Sequence, residues 1–241
     1  MSTQRLIPNV ERRLSGWISV QQHLAQEPRR EPRLTITISR QFGCEGYPLA
    51  ETLKGVLEER TGEVWTVFDK ALLERVSGET HLSEHLFGKI GDDSQILDAL
   101  ANMIPGWRTQ SEAYELVARY IVRIAREGNA IIVGRGGAVV AQSLPNCFHF
   151  RLEAPEVHRV QSIQQRLGLG ADEAKALVVQ EQQGRERFIE RFLHCSMADT
   201  RHYHAVFNTA RNPLERMARS LLTLMPIAIE RETKRPSHTV S

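Results

Sequence analysis

Apolar positions along this chain switch repeatedly between a period of two and a helical period. Leu34, Ile36 and Ile38 alternate with Thr35 and Thr37, and β-branched residues predominate, which predicts a strand. Beyond it Leu49, Ala50, Leu53, Val56 and Leu57 form a helical stripe out to Arg60, with Pro48 suited to the first turn. Glu63 to Asp69 predicts a second strand, and Lys70 to Ser77 begins a helix. No strand pattern follows until about Gly128. Leu97, Leu100, Ala101 and Ile104 suggest one helix, and Ala113, Leu116, Val117, Tyr120, Ile121 and Ile124 a longer one, with Pro105-Gly106 between them. Ala130 to Val133 is an unbroken apolar run, as expected of a strand buried on both faces. Phe148, Phe150 and Leu152 alternate within a fourth strand, Cys147 to Ala154, and Pro155 opens a helix carrying Val157, Val160, Ile163 and Leu167. After the turn Leu167-Gly-Leu-Gly170, Ala171 to about His194 is helical by propensity. Tyr203 to Asn208 predicts a fifth strand; Asn212 then caps, and Pro213 starts, a last helix with Leu214, Met217, Leu221 and Leu222.

Five strands separated by helices predict an α/β fold, a parallel sheet with helices on both faces. This domain spans residues 33–225. Residues 1–32 are an appendage: Val10, Leu14, Trp17, Ile18, Gln21 and Leu24 fall at helical spacing behind Asn9, and a Pro- and Arg-rich linker follows. That stripe must bury either on the main domain or against a second copy, as a homodimer. Residues 226–241 form a polar tail.

Composition narrows the partners. Hydrophobic residues make up 41% and charged residues 25%, ordinary for a globular domain, and the net charge of +2 makes no electrostatic case for nucleic acid or membrane. Cys44, Cys147 and Cys195 are an odd number, widely spaced. They fit a reducing, cytoplasmic setting better than a disulfide framework. No apolar run approaches membrane-spanning length.

The candidate chemistry sits at strand ends. Between the first strand and its helix lies a loop with Gly43 and Gly46, an arrangement that turns main-chain N–H groups and a helix N-terminus toward an anion. It departs from the Walker A pattern G-x-x-x-x-G-K-S/T: Glu45 replaces a glycine, Gly46 falls on the lysine and Pro48 on the Ser/Thr. A tight β–α turn without a ligand is the other reading. Asp69 ends the second strand, where open α/β sheets place ligand contacts. Gly134-Arg135-Gly136-Gly137 presents an arginine at the end of a buried strand, suited by charge and planar fork to a phosphate. Arg185, Arg187 and Arg191 either line a lid that closes over phosphates or lie on a solvated helix, paired with Glu181, Glu186 and Glu190. His81 and His85 have the i, i+4 spacing of a metal pair, but no third ligand is evident and two exposed histidines are the simpler reading, so no metal site is expected from protein ligands. His202 and His204 read as structural.

Taken together, the chain resembles the cytidylate kinase-like family within the P-loop nucleoside-monophosphate kinases. The matching stretches are Ile38-Ser-Arg-Gln-Phe-Gly43, Phe68-Asp69, Gly128-Asn-Ala-Ile-Ile-Val-Gly-Arg-Gly136, Phe150-Arg-Leu-Glu-Ala-Pro155 with Arg159, Arg185-x-x-Phe188 and Tyr203-His-Ala-Val-Phe-Asn-Thr209. They occur in family order over roughly residues 33–224. The resemblance implies a strand order 2-3-1-4-5, a helical lid at about 168–195, and phosphoryl transfer from ATP, with Mg²⁺, to a nucleotide such as CMP. It assigns Gly43, Cys44, Glu45, Gly46 and Tyr47, with Ser39, to the donor phosphates, Asp69 and Arg135 to the acceptor, and Arg185, Arg187 and Arg191 to the lid.

This chain departs from the family pattern in two places. Gly136 stands where ordinary cytidylate kinases carry Asp, and Cys44, Glu45, Tyr47 and Pro48 replace a Gly-Ser-Gly-Gly-Arg loop. A carboxylate beside phosphates is unfavourable unless a cation offsets it. Arg40 is the expected substitute for the missing lysine, and Ser39 or Cys44 the expected contact to the water shell of Mg²⁺. The alternative function is a nucleotide-binding protein without useful turnover, a sensor or interaction partner.

Overall fold

The computed structural model describes residues 10–24, 33–73 and 110–226. Among them, helix α1 (Val10–Leu24) precedes strand β1 (Thr35–Arg40), α2 (Gly46–Thr61) and β2 (Thr66–Phe68). Then come α3 (Gln110–Glu127), β3 (Ala130–Val133), the single turn α4 (Gly137–Val140) and β4 (Cys147–Glu153). The chain continues through α5 (Glu156–Leu167), α6 (Ala171–Leu193), β5 (Ala205–Asn208) and α7 (Leu214–Thr223). The five strands form one parallel sheet in the order β2-β3-β1-β4-β5, the expected order.

Strand parity sets the layers. Ile36 and Ile38 of β1 face α2 and α7, where Leu49, Leu53, Leu57, Met217 and Leu221 are fully buried. Thr35 and Thr37 face the opposite side, and their hydroxyls are satisfied internally. Thr35 Oγ1 donates to the Ala125 carbonyl (3.0 Å), and Thr37 Oγ1 shares a 2.8 Å hydrogen bond with His149 Nδ1. On that side α3 covers β2 and β3 with Tyr120, Ile121 and Ile124. Burying each such side chain contributes about 1.5–3 kcal/mol.

Several elements differ from the sequence-based expectation. The second strand shrinks to Thr66–Phe68 because β3, its neighbour among the described residues, has four residues, with Thr66 opposite Ala130 and Phe68 opposite Ile132. The fifth begins at Ala205, since Tyr203 turns its hydroxyl toward Ser39. Asn212 does not cap α7; its side-chain amide donates back to the Asn208 carbonyl (2.9 Å). The stripe of α1 packs on its own domain: Leu14 is buried in the α3-side core, with Val10 and Ile18 against it. Those positions are therefore spent within the chain, which leaves the homodimer through this helix without support. The helix expected at Leu97–Ile104, the His81/His85 pair and the polar tail lie outside the described residues. No helix among the described residues is long and apolar enough to cross a membrane.

The polar side of the sheet carries a titration. His149 is buried in β4 opposite Thr37 of β1, and His204 Nδ1 accepts from its backbone N–H (2.9 Å). Burial, with the charges of His204 and His202, pushes the His149 imidazole down from 6.5 to about 4. The unfolded chain binds this proton first, so stability falls as pH drops from about 6.5 toward 4. Urea midpoints at pH 7 and pH 5 should differ less in His149→Asn than in the wild type, by about 1–2 kcal/mol of unfolding free energy. Equal differences would remove His149 as the cause.

Candidate functional site

β1 and β3 run side by side, with Ile38 opposite Val133, the last residue of β3, and β1 continuing to Arg40. Just past their carboxyl ends lies a cavity of about 300 Å³. Its floor is Ser39, Arg40 and Gly134–Gly137, and its roof is the second half of α6, through Glu181, Arg185, Phe188 and Ile189. Lys70 and Tyr203 also reach its walls.

Arg40 has the parity of Ile36 and Ile38, so it leaves β1 on the α2 side. It runs between two glycines. A Cβ on Gly46, the first residue of α2, would lie 3.1 Å from Arg40 Cδ, and one on Gly134 would lie 2.1 Å from Arg40 Nη1. Gly134 also has φ +86, a conformation that side chains rarely adopt. Burial, then the like charges of Arg185 and Arg135, pushes the Arg40 guanidinium down to about 9, while Asp69 works the other way. Holding this group charged costs free energy that an anion in the cavity would offset.

Arg135 occupies a left-handed turn (φ 52), fixed by the Tyr114 hydroxyl donating to its carbonyl (3.0 Å). Its guanidinium lies 4.9 Å from the Phe188 ring centroid. Gly136, where an Asp would be ordinary, has φ +71, and a Cβ there would lie 2.2 Å from Leu193 Cδ1. A side chain here would adopt a strained left-handed backbone and displace the tips of Leu193 and Tyr114. Tyr114, Phe188 and Phe192 form a triad with every pair of centroids 5.0 Å apart, and so tie α6 to α3.

The three arginines of α6 separate. Arg185 Nη1 donates to the Arg40 carbonyl (3.4 Å), and its guanidinium sits 4.9 Å from the Phe42 ring centroid. Burial pushes it down, and Glu181 opposes that. Arg187 and Arg191 are exposed and do not line the cavity. At about 100° per residue, Arg187 lies about 200° around the helix from Arg185, whereas Glu181, Phe188 and Ile189 share the face of Arg185. Of the three arginines expected in the lid, Arg185 lines this cavity, whereas Arg187 and Arg191 lie on the exposed faces of the helix.

The glycine loop also differs from expectation. Gly43, Cys44, Glu45, Gly46 and Tyr47 do not line the cavity. Phe42 N–H donates to Gln182 Oε1 of α6 (2.9 Å), and Cys44 N–H to the Gln41 carbonyl (3.2 Å). Gly43 (φ +92) packs on the backbone of Arg159, whose side chain donates to the Ala154 and Phe42 carbonyls (3.1 and 3.3 Å). Cys44 is turned into the core, where its sulfur accepts from the Thr209 hydroxyl (3.6 Å) and burial raises its thiol. Ser39 does face the cavity, 3.2 Å from the Tyr203 hydroxyl. Asp69 directly follows β2 but does not line the cavity; its Oδ1 accepts from Leu72 N–H (3.0 Å) and from both Nη atoms of Arg13 (3.2 Å each).

Lys70, Glu181, Phe188 and Tyr203 line the cavity, and Arg13 pairs with Asp69, the neighbour of Lys70 in sequence; the sequence assigned no site role to Arg13 or to those lining residues. Glu181 and Phe188 carried a usable signal, their i−4 and i+3 spacing from Arg185. The separation of the lid arginines gives a direct check. Arg185→Ala should abolish most of the melting-temperature rise caused by inorganic tripolyphosphate, and Arg187→Ala and Arg191→Ala should leave it intact. Equal losses in all three would contradict the orientation of α6.

Solved structures show the same fold at low identity. An uncharacterised protein from Eubacterium ventriosum is 16% identical with a TM-score of 0.60, over 79% of this chain and 97% of that one. A shikimate kinase from Bacteroides thetaiotaomicron is 13% identical with a TM-score of 0.44, over 79% and 97%. A gluconokinase from Sinorhizobium meliloti is 14% identical with a TM-score of 0.38, over 81% and 93%. The last two are too distant to add to the argument. No curated protein matches the sequence. The profile of the cytidylate kinase-like family matches residues 35–211, every strand and the whole cavity floor included, and the chain belongs to that family.

Proposed function

We propose that the protein is a phosphotransferase that moves a phosphoryl group from ATP to a nucleoside monophosphate or a related small phosphorylated acceptor. The observation that carries this reading is the convergence of Arg40, Arg135 and Arg185 on one cavity at the carboxyl edge of the sheet. Phosphoryl transfer passes through a loose transition state with charge spread over the phosphate oxygens, so catalysis is mostly positioning and positive charge. Arg40, fixed between Gly46 and Gly134, takes the place of the missing lysine. Arg135 holds the acceptor phosphate from the β3 turn. Arg185 comes from the roof and closes the charge cage when α6 is seated.

Magnesium ion would enter with ATP and supply charge neutralisation between its phosphates. Among the described residues no cluster of His, Cys, Asp or Glu could hold a metal ion by itself. The Ser39 hydroxyl and the Glu181 carboxylate are oxygen donors on the cavity wall that suit its water shell. A second reading is a nucleotide sensor without turnover. It is favoured by the glycine loop, where the N–H groups of Phe42 and Cys44 are already bonded within the protein.

The test is phosphoryl transfer with Mg-ATP against a panel of nucleoside monophosphates, nucleosides and small phosphorylated metabolites. Transfer to one acceptor is expected, falling about 10²-fold or more in Arg135→Ala and in Arg40→Met. ATP binding without transfer would favour the sensor, and neither binding nor transfer would refute both readings. In the absence of ligand, Arg40→Met should melt no lower than the wild type, because it removes a charge held at a cost, while losing the melting-temperature rise with ATP. A much lower melting point with that rise retained would make Arg40 a structural residue only.

A further inference from the structure

Helix α1 lies outside the matched family segment, yet it delivers a charged side chain to Asp69, the neighbour in sequence of the cavity-lining Lys70. Leu14 is 4% exposed in the α3-side core, which fixes the rotation of the helix. Arg13, the preceding residue, then points at the carboxyl end of β2. Its two Nη atoms reach Asp69 Oδ1 at 3.2 Å, and Nη2 also donates to the Val67 carbonyl at 2.7 Å. Its guanidinium lies 5.3 Å from the ring centroid of Tyr47, in the first turn of α2. The side chains of Arg13 and Asp69 are only 9% and 15% exposed, so little solvent screens the pair.

Asp69 poses an electrostatic problem. It is needed where it stands, because its Oδ1 accepts from Leu72 N–H and so begins the helix after β2. It does not itself line the cavity, but its charge reaches Arg40, which does, and favours the charged guanidinium. A bare carboxylate there would repel an incoming polyphosphate. We propose that Arg13 is a charge-balancing positioning residue of the phosphate cavity, lent by α1, which neutralises Asp69 so that a polyanion can bind beside it. This deepens the proposed function and rests on the cavity being its phosphate site.

The experiment measures binding of inorganic tripolyphosphate and pyrophosphate by calorimetry, so that no turnover is needed. Full-length wild type, Arg13→Gln, Asp69→Asn, the double variant Arg13→Gln/Asp69→Asn and Arg13→Lys are compared. Arg13→Gln should bind tripolyphosphate about tenfold more weakly, the effect of one uncompensated, poorly screened charge. Its deficit should be smaller for pyrophosphate, which carries less charge. Asp69→Asn should bind at least as tightly as wild type. The double variant should recover to within about threefold of wild type, since both charges are gone. Arg13→Lys, which keeps the charge without the fork, should stay near wild type; it also carries the test should Arg13→Gln fail to fold.

Wild-type affinity in Arg13→Gln would overturn the proposal, and so would tighter binding, which would make α1 an inhibitory strap. A double variant as weak as the single would overturn it too, because the pair would then serve folding alone. Tripolyphosphate binding with this pattern, but without transfer in the acceptor panel, would support the inference while refuting the kinase reading. Transfer by a wild type whose binding ignores Arg13 would refute the inference alone. A wild type that binds neither polyphosphate nor ATP would refute both.

Discussion

Three guanidinium groups share one cavity of about 300 Å³, and their mutual repulsion is the constraint around which the site is built. Like charges in a poorly solvated space separate unless the backbone prevents it. Here the backbone prevents it by close packing. Arg40 is confined by two glycines whose Cβ positions it overlies, Arg135 is locked into a left-handed turn by Tyr114, and Arg185 is clasped between the Arg40 carbonyl and the Phe42 ring. Each restraint comes from a different element, so the cage exists only when β1, β3, α3 and α6 are assembled.

The roof helix divides its labour along its length. In its first half, Ala174 and Val178 are buried with Ile163 of α5 in a small core of their own. In its second half, one face carries Arg185, Phe188 and Ile189 over the cavity, and the aromatic triad joins it to α3. Gln182 sits between the halves and takes the Phe42 N–H. Movement of α6 would therefore release a loop amide and withdraw an arginine together. That pairing suits a site in which anion binding and closure are one event.

Much of this was legible in the sequence. The strand patterns, the parallel order implied by the family resemblance and the placement of Arg135 and Arg185 all appear in the structure, because buried strands and their exits leave strong local patterns. Arg40 was legible through its place beyond an alternating strand, although its resting place between Gly46 and Gly134 depends on two residues distant in sequence. The separation of Arg187 and Arg191 from Arg185 was also available from helical geometry. The contacts of the glycine loop were not legible, because its hydrogen bonds go to Gln182 of α6 and to the Gln41 carbonyl, partners that no local pattern names. Gly136 read as a lost carboxylate; packing against Leu193 gives it a steric reason instead.

Arg13 was the least legible of all, and the reason is physical. A long-range ion pair has no period. Its partner Asp69 lies 56 residues away, beyond a linker, and only the burial of Leu14 sets the angle at which the two meet. The sequence left α1 with a choice of covering its own domain or a second copy, a question about apolar area alone. The structure answers it with a charge as well. A helix held only by hydrophobic contact could slide or rotate at modest cost, but one whose arginine pairs with a poorly screened carboxylate is held at a fixed angle as well. If the cavity is the proposed phosphate site, coupling is reciprocal, and whatever occupies it would also bear on the seating of α1.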